Sequence, residues 1–186
     1  MIGTLCVAAL AAGLVACAGG PRTKTAEATV FSNQRGSEHR GQDDLLIGGL
    51  GLDGLRAMVP PAFADAQNPT AAELRRRALW NNWRGIADLA PGGGYGELFG
   101  SLVAVPGREF HAYATVPGAA QPHRVLLQLP DAFDAKQRCV VVTASSGSRG
   151  VYGSIAVGGA WGLPRGCAVA YTDKGAGTDY SDLDTQ

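Results

Sequence analysis

Residues 139–144 read CVVVTA and run directly into residues 145–150, which read SSGSRG. A continuous, mostly β-branched run of this length is typical of a strand that is buried on both faces of a parallel sheet. A second run of this kind, residues 166–171 (GCAVAY), follows the small-residue helical stretch 154–163, which Pro164 closes. Strand, loop, helix and strand in this order predict a parallel crossover unit, so this stretch indicates an α/β fold.

Upstream of the crossover unit the hydrophobic period is two. In residues 110–114 (FHAYA) apolar residues alternate with His111 and Tyr113, and the run 124–129 (RVLLQL) follows the turn at Pro117. Two alternating runs joined by a turn predict an antiparallel hairpin. His111 stands on the polar side of this alternation, so we expect a surface or packing histidine.

The clearest predicted helix begins at Thr70. Thr70 follows Pro69, and Glu73 stands three residues later, which is the spacing of a capping box. Apolar residues then recur at helical spacing, namely Leu79, Trp83, Ile86 and Leu89. Pro91 and the glycines after it predict that the helix ends near Ala90.

Three consecutive arginines, Arg75, Arg76 and Arg77, fall largely outside that apolar stripe. Such a cluster could bind an anion, but we expect the solvated face of an amphipathic helix. Trp80 and Trp83 could line a substrate groove; packing in the core or against a neighbouring element is the interpretation that we favour.

The composition excludes several classes of function. The 186 residues carry a formal net charge of +0, with 46% hydrophobic and 17% charged residues, as in an ordinary globular protein. No basic stripe is present, so we expect no nucleic-acid partner. The histidines and cysteines are scattered without the close spacing of a ligand pair, so we expect no zinc site. No organic cofactor is implied.

Residues 1–18 have the character of an export signal. Residues 5–18 form an apolar, alanine-rich run that is shorter than the ~20 residues of a spanning helix. The sequence LVAC at 14–17 is the pattern cut before cysteine in bacterial lipoproteins, which would make Cys17 a lipid attachment site; a plain signal peptide is the alternative. A signal normally starts with a positive segment, whereas residues 1–4 contain no Lys or Arg, which leaves open a start further upstream.

The remaining chain divides into two regions. Residues 19–42 are polar, small or charged without a hydrophobic period, which predicts a flexible stalk. Residues 43–186 form the predicted domain. Together with the signal, this organisation predicts an exported protein that is extracellular or associated with the cell envelope.

The loop after the first buried strand comprises Ser146, Gly147, Ser148, Arg149 and Gly150, at the strand end where open α/β sheets place ligands. It is close to the G-x-S-x-G nucleophile elbow, in which Ser148 would be the nucleophile. However, Ser146 replaces the leading glycine, and every histidine precedes Ser148, whereas the triad order on that fold is Ser, acid, His. We therefore favour an oxyanion loop, whose backbone N–H groups stabilise the negative oxygen of a tetrahedral intermediate. A tight turn that needs glycine for geometry alone is the other alternative.

Five short segments carry a family resemblance. They are residues 72–76 (AELRR), 93–96 (GGYG), 146–153 (SGSRGVYG), 161–163 (WGL) and 165–171 (RGCAVAY). Over about residues 43–178 the chain resembles the N-terminal third of the D-(-)-3-hydroxybutyrate oligomer hydrolases. The resemblance implies an exported serine esterase that cuts short 3-hydroxybutyrate oligomers to monomers. The expected fold is then the N-terminal part of an α/β-hydrolase-like sheet, incomplete within this chain.

The resemblance also implies where catalysis occurs. In that family the nucleophilic serine belongs to a Ser-Asn-Gly-Gly segment, which nothing in this chain matches. No catalytic residue is carried over, the nucleophile is expected beyond Gln186, and the chain alone is expected to be inactive. Asp173 and Asp179 could be acid partners, but carboxylates in such a loop usually cap turns. The rival from another class is a small, non-catalytic lipoprotein that binds a ligand or partner.

Cys139 and Cys167 are the cysteines that remain once Cys6 and Cys17 are assigned to the signal. Each stands at the first position of a predicted buried strand. Neighbouring strands lie about 4.8 Å apart, within the roughly 4.4 to 6.8 Å between Cα atoms that a disulfide accepts. A disulfide is therefore a candidate in an oxidising compartment. Two free cysteines buried as small hydrophobes are the alternative.

Overall fold

The computed structural model describes residues 28–84, 87, 89, 102–147 and 149–176. Within these ranges the chain forms five strands and three helical regions. The strands are β1 (Val30–His39), β2 (Gly107–Thr115), β3 (His123–Pro130), β4 (Val140–Ala144) and β5 (Ala168–Thr172). The helices are α1 (Gly51–Arg56) and α2 (Ala71–Arg84). A composite helix over 151–165 joins the turns Val151–Ser154 (3₁₀), Ile155–Gly159 (π), Ala160–Gly162 (α) and Leu163–Arg165 (3₁₀).

The strands form one mixed sheet in the order β1-β2-β3-β5-β4. β2 and β3 pair antiparallel with Phe110 opposite Leu127, which confirms the predicted hairpin. β4 and β5 pair in parallel with Val141 opposite Val169, and the composite helix connects them, which confirms the crossover unit. The described residues thus have an α/β architecture.

Helix α2 begins as its sequence predicts. The backbone N–H of Thr70 donates to Glu73 Oε2 at 2.8 Å, and the backbone N–H of Glu73 donates to Thr70 Oγ1 at 3.3 Å, so the capping box is present. Leu79 and Trp83 are fully buried, which makes Trp83 a core residue. The helix ends at Arg84, short of the predicted end near Ala90. Residues 93–96 lie outside the described part of the chain.

The composite helix lies close against the sheet because glycines face it. A Cβ atom at Gly158 would come within 2.9 Å of Thr143 Cγ2, and one at Gly162 within 2.9 Å of Val141 Cγ2. The predicted helix over 154–163 is therefore present but longer and irregular, and Gly166 ends it in the left-handed conformation with φ 73°. Close glycine packing brings the start of this helix over the ends of β4 and β5.

One face of the sheet is covered and the other is open. On the covered face, α2, the composite helix and the segment before α1 enclose the core, which includes Leu45, Leu46, Leu55, Leu79, Trp83, Leu126, Val151, Ile155, Leu163 and Val169. The open face exposes large apolar side chains, namely Phe31, Phe110, Leu127, Val140 and Val142. No described element packs on this open face.

The prediction that residues 139–144 are buried on both faces is wrong for this chain. Val140 and Val142 are 54% and 78% exposed. The reason is that β4 is at the edge of the described sheet and its outward side chains belong to the open face. The second predicted strand behaves as expected, since Val169 and Tyr171 in β5 are buried.

The prediction of a flexible stalk over 19–42 is wrong for Val30–His39, which form β1. This strand pairs antiparallel with β2 from Val30 opposite Thr115 to His39 opposite Gly107. Its side chains are almost all exposed, so its sequence shows no apolar alternation, and backbone pairing with a distant strand holds it. An irregularity between Ser32 and Arg35 further disrupts any period of two.

A disulfide joins Cys139 and Cys167, the pair that the sequence offered as a candidate, with their Cα atoms 4.7 Å apart. It links the starts of β4 and β5 beside the hydrogen bond from Ala168 N–H to Cys139 O at 3.0 Å. The proposed export signal, including Cys17, lies outside the described residues. Among the described helices, none has the length and apolar character needed to cross a membrane.

Candidate functional site

The loop that follows β4 lies at the carboxyl edge of the parallel strand pair. β4 and β5 end side by side, with Ala144 opposite Thr172, and Ser145 N–H donates to Thr172 O at 2.8 Å. Gly147 has a φ of 63°, and a Cβ atom there would meet nothing within 4 Å. The glycine thus provides both a conformation that other residues avoid and an open backbone surface beside the strand ends.

The buried side chain of Ser145 stabilises this loop through two hydrogen bonds. Its Oγ donates to Gly147 O and accepts from Arg149 N–H, both at 3.3 Å. A Cβ atom at Gly153 would lie 2.4 Å from this Oγ, so glycine is required for the approach of the composite helix. Sequence reasoning did not single out Ser145, although its place at the strand-to-loop junction could have indicated an anchor.

Tyr152, in the first turn after the loop, connects it to a buried charge cluster. The Tyr152 hydroxyl donates to Glu109 Oε2 at 2.7 Å, and Glu109 on β2 is fully buried. Gln128 Nε2 donates to Glu109 Oε1 at 2.7 Å, and Tyr171 donates in turn to Gln128 Oε1 at 2.6 Å. This network of buried polar side chains therefore extends from Tyr152, just after the loop, to strands β2, β3 and β5.

Arg75 on α2 is the cationic partner in this cluster. Its Nε and Nη2 donate to Glu109 at 2.9 and 2.7 Å, and its Nη1 donates to Asp43 Oδ1 at 2.8 Å. Burial acts to raise the pKa of Glu109, but the Arg75 charge and the hydrogen bonds from His111, His39 and Arg75 hold that pKa well below its usual range. Glu109 is thus a buried carboxylate that stays ionised.

The prediction of a solvated face for Arg75, Arg76 and Arg77 is wrong for Arg75, which is 4% exposed. Its charge is compensated inside the protein by two carboxylates, those of Glu109 and Asp43, which accept its hydrogen bonds. The other two are half-buried and bind backbone oxygens: Arg76 Nε donates to Gly48 O at 3.1 Å, and Arg77 Nη2 donates to Pro61 O at 2.8 Å. Their guanidinium groups contact protein oxygens, which argues against a dedicated anion site.

The other candidates fall into two groups. His111 packs edge-on against Tyr152 at 6.3 Å between ring centroids and lies 3.3 Å from Glu109 Oε2, so it is a packing histidine. Asp173 accepts from the N–H groups of Arg124 (3.0 Å) and Gly175 (2.8 Å), so it caps a turn as expected. Ser148 and Asp179 lie outside the described residues. In the part of the chain that the structure describes, no cluster of three His, Cys, Asp or Glu side chains is arranged for a metal ion.

Comparison with known proteins assigns the family. The family model of the 3HB-oligomer hydrolases matches residues 13–186. The chain is 51% identical over 152 residues to the D-(-)-3-hydroxybutyrate oligomer hydrolase of Cupriavidus metallidurans, covering 76% of this chain and 21% of that protein. It is 47% identical over 152 residues to that of Paraburkholderia xenovorans, covering 76% and 22%. It is 46% identical over 200 residues to that of a Polaromonas species, covering 97% and 28%.

No solved structure matches the chain. The chain spans between a fifth and just over a quarter of the length of these curated relatives. The match extends from the proposed export signal through the loop after β4 and both parallel strands, β4 and β5. This chain therefore belongs to the 3HB-oligomer hydrolase family.

Proposed function

We propose that the chain is the N-terminal part of an α/β-hydrolase-type serine esterase that hydrolyses D-(-)-3-hydroxybutyrate oligomers to monomers, with residues 146–150 as its oxyanion loop. The observation that carries the proposal is the open Gly147 backbone at the carboxyl end of β4, in a chain of this family. The family match disfavours the rival, a non-catalytic lipoprotein.

The strand order supports the α/β-hydrolase assignment. Counted from the hairpin, β2, β3, β4 and β5 are strands one to four, and their spatial order is one, two, four, three. The oxyanion loop of α/β-hydrolases follows the third strand and precedes a helix. The loop after β4 has this position, since the composite helix begins at Val151.

The proposed chemistry is acyl transfer through a serine. A histidine takes the serine proton as the oxygen attacks the ester carbonyl, and an acid orients that histidine. The loop in this chain would stabilise the negative oxygen that forms. Because Ser145 Oγ already accepts from Arg149 N–H, the candidate donors among the described loop residues are the N–H groups of Ser146, Gly147 and Gly150. The nucleophile would lie in the part of the relatives that the matched region does not include.

A chimera tests this proposal. This chain replaces the matching fifth of the Cupriavidus metallidurans hydrolase, and release of 3-hydroxybutyrate from the dimer is measured. Gly147→Ala should lower kcat by about 10²–10³-fold with little change in KM, as expected for a displaced oxyanion donor.

Gly118→Ala is the matched control. Gly118 also has a positive φ, 79°, with nothing within 4 Å of a Cβ atom, but it lies in the turn between β2 and β3. Both substitutions carry similar backbone strain, so a purely structural effect would appear in both variants. An active chimera in which Gly147→Ala and Gly118→Ala lower kcat equally would contradict the oxyanion role.

We propose further that the protein is exported and associated with the cell envelope, with Cys17 as its site of lipid attachment. The apolar run 5–18 and the LVAC sequence support this proposal. Fractionation of cells that express the protein, with Cys17→Ala beside the unchanged protein, provides the test. If the two proteins are recovered in the membrane fraction to the same extent, lipid attachment at Cys17 is contradicted. Export by a plain signal peptide would then be the remaining interpretation.

A further inference from the structure

Ser37, His39 and Asp43 form a chain of hydrogen bonds outside the loop after β4. Ser37 Oγ lies 2.7 Å from His39 Nε2, and His39 Nδ1 lies 2.7 Å from Asp43 Oδ2. Ser37 and His39 are two residues apart on β1, so their side chains share the covered face, and Asp43 follows in the turn after the strand. Ser37 is exposed, whereas His39 is 6% exposed.

The partners of the imidazole fix its tautomer. An ionised carboxylate can only accept hydrogen bonds, so Nδ1 carries a proton towards Asp43. In the neutral imidazole, Nε2 is then the acceptor for the Ser37 hydroxyl, whereas in the protonated imidazole Nε2–H donates to Ser37 or to Glu109. Burial acts to raise the pKa of Asp43, but its hydrogen bond with His39 and the charge of Arg75 hold that pKa below its usual value. The order hydroxyl, imidazole, carboxylate is that of a nucleophile with an oriented general base.

A second carboxylate stabilises the protonated imidazole. Glu109 Oε2 lies 3.4 Å from His39 Nε2. Burial acts to lower the pKa of His39, whereas its hydrogen bonds with Asp43 and Glu109 raise that pKa above its usual value despite the opposing charge of Arg75. The two carboxylates would therefore stabilise the imidazolium that forms when His39 takes the proton of Ser37.

These three residues line one cavity of about 360 Å³. Its wall also contains Arg35 and, from the start of α2, Ala71 and Ala72. The first N–H groups of a helix have no partner within it, and the N-terminal end carries partial positive charge. The cavity has the size of a small-molecule site, and the described loop residues 145–147, 149 and 150 do not line it.

We propose that Ser37, His39 and Asp43 form a second nucleophilic centre, which accepts an acyl group from a small neutral carboxylic ester. Ser37 Oγ bonds to the carbonyl carbon as its proton passes to His39 Nε2. The bond between that carbon and the alcohol oxygen then breaks, and the alcohol leaves with the proton from His39. Ser37 retains the acyl group until water releases it as the carboxylic acid.

A fluorophosphonate probe on the 186-residue chain, with peptide mapping by mass spectrometry, tests the proposal. The Ser37 oxygen bonds to phosphorus, fluoride leaves, and the hydroxyl proton passes to His39. We expect one label per chain on Ser37, lost in Ser37→Ala and slowed about 100-fold in His39→Gln, the lower range for a missing general base. Ser32→Ala is the matched control, because Ser32 is exposed on the same strand and should leave the labelling rate unchanged.

Labelling of the same chain unfolded in urea provides the folding control, because the hydrogen bonds that join Ser37, His39 and Asp43 exist only in the folded state. Ser37→Ala changes an exposed residue, so loss of the label in this variant does not depend on unfolding. An unlabelled folded chain, equal labelling of Ser32 and Ser37, or labelling as fast in urea would each overturn the proposal. The result is independent of dimer cleavage by the chimera, so either proposal can fail alone.

Discussion

Replacement of Arg75 by Met should destabilise the fold severely. Arg75 makes two hydrogen bonds to Glu109 and one to Asp43, all between 2.7 and 2.9 Å. Met fills much of the same volume but leaves the fully buried Glu109 carboxylate without its cation. Removing one partner of a buried ion pair costs about 3–5 kcal/mol, a large share of the roughly 5–15 kcal/mol that stabilises a typical domain.

The pH dependence gives a second, independent signature. In the unchanged chain the pKa of Glu109 is depressed, so its contribution to the free energy of unfolding is present above about pH 4.3 and is lost as pH falls through the folded-state pKa. Without Arg75, burial raises the pKa of Glu109. At neutral pH the free energy of unfolding of the variant is then lowered by the cost of burying an ionised carboxylate. This cost decreases as pH falls towards about 4.3 and Glu109 becomes protonated. The difference in unfolding free energy between the unchanged chain and Arg75→Met should therefore become smaller as pH is lowered.

Urea unfolding followed by tryptophan fluorescence measures both effects, because Trp83 is fully buried and its Nε1 donates to Leu46 O at 2.9 Å. With a slope of about 1.5 kcal/mol/M, the urea concentration at the unfolding midpoint should fall by about 2–3 M. Arg165→Met, at an exposed position, is the control and should stay within about 0.5 kcal/mol. In Arg75→Met with Glu109→Leu much of the loss should be recovered. A loss below about 1 kcal/mol for Arg75→Met, unchanged between pH 7 and pH 5, would refute the ion-pair argument.

Three further predictions concern the rest of the chain. Protein made in an oxidising compartment should show no free thiol at Cys139 or Cys167 before reduction; the 28-residue separation predicts a stabilisation of roughly 3–4 kcal/mol, and alkylation of both thiols without reductant would contradict the bond. The 186-residue chain alone should not hydrolyse 3-hydroxybutyrate dimers above background, whereas turnover that Ser148→Ala abolishes would favour the nucleophile-elbow interpretation. Val142→Lys on the open face should reduce self-association in analytical ultracentrifugation, while Val116→Lys, 43% exposed in the turn after β2, should not.

Local patterns predicted the elements that depend on near neighbours. The capping box at Thr70 and Glu73 needs only residues three apart, and the crossover unit needs only two apolar runs with a helix between them. β1 was missed because it is held by pairing with a strand about 75 residues away in sequence, and its side chains contribute little burial. Exposure of β4 was missed because burial of a strand depends on what covers it, which its own sequence does not contain.

Strand β2 shows why the buried charge cluster was not predictable. Its alternation suggested that the side with Phe110 faces the core and the side with His111 faces solvent. The structure has the opposite arrangement, since Glu109 is fully buried while Phe110 is 39% exposed on the open face. A polar alternation ordinarily marks a solvent face, but here Arg75 lies 34 residues away in sequence and neutralises Glu109 inside the core. The alternation of a strand shows which face is buried only when no distant residue neutralises a charge on that face. The hydrogen bond between His39 and Asp43 could not be predicted from the sequence for the same reason, since both residues contact this buried charge cluster.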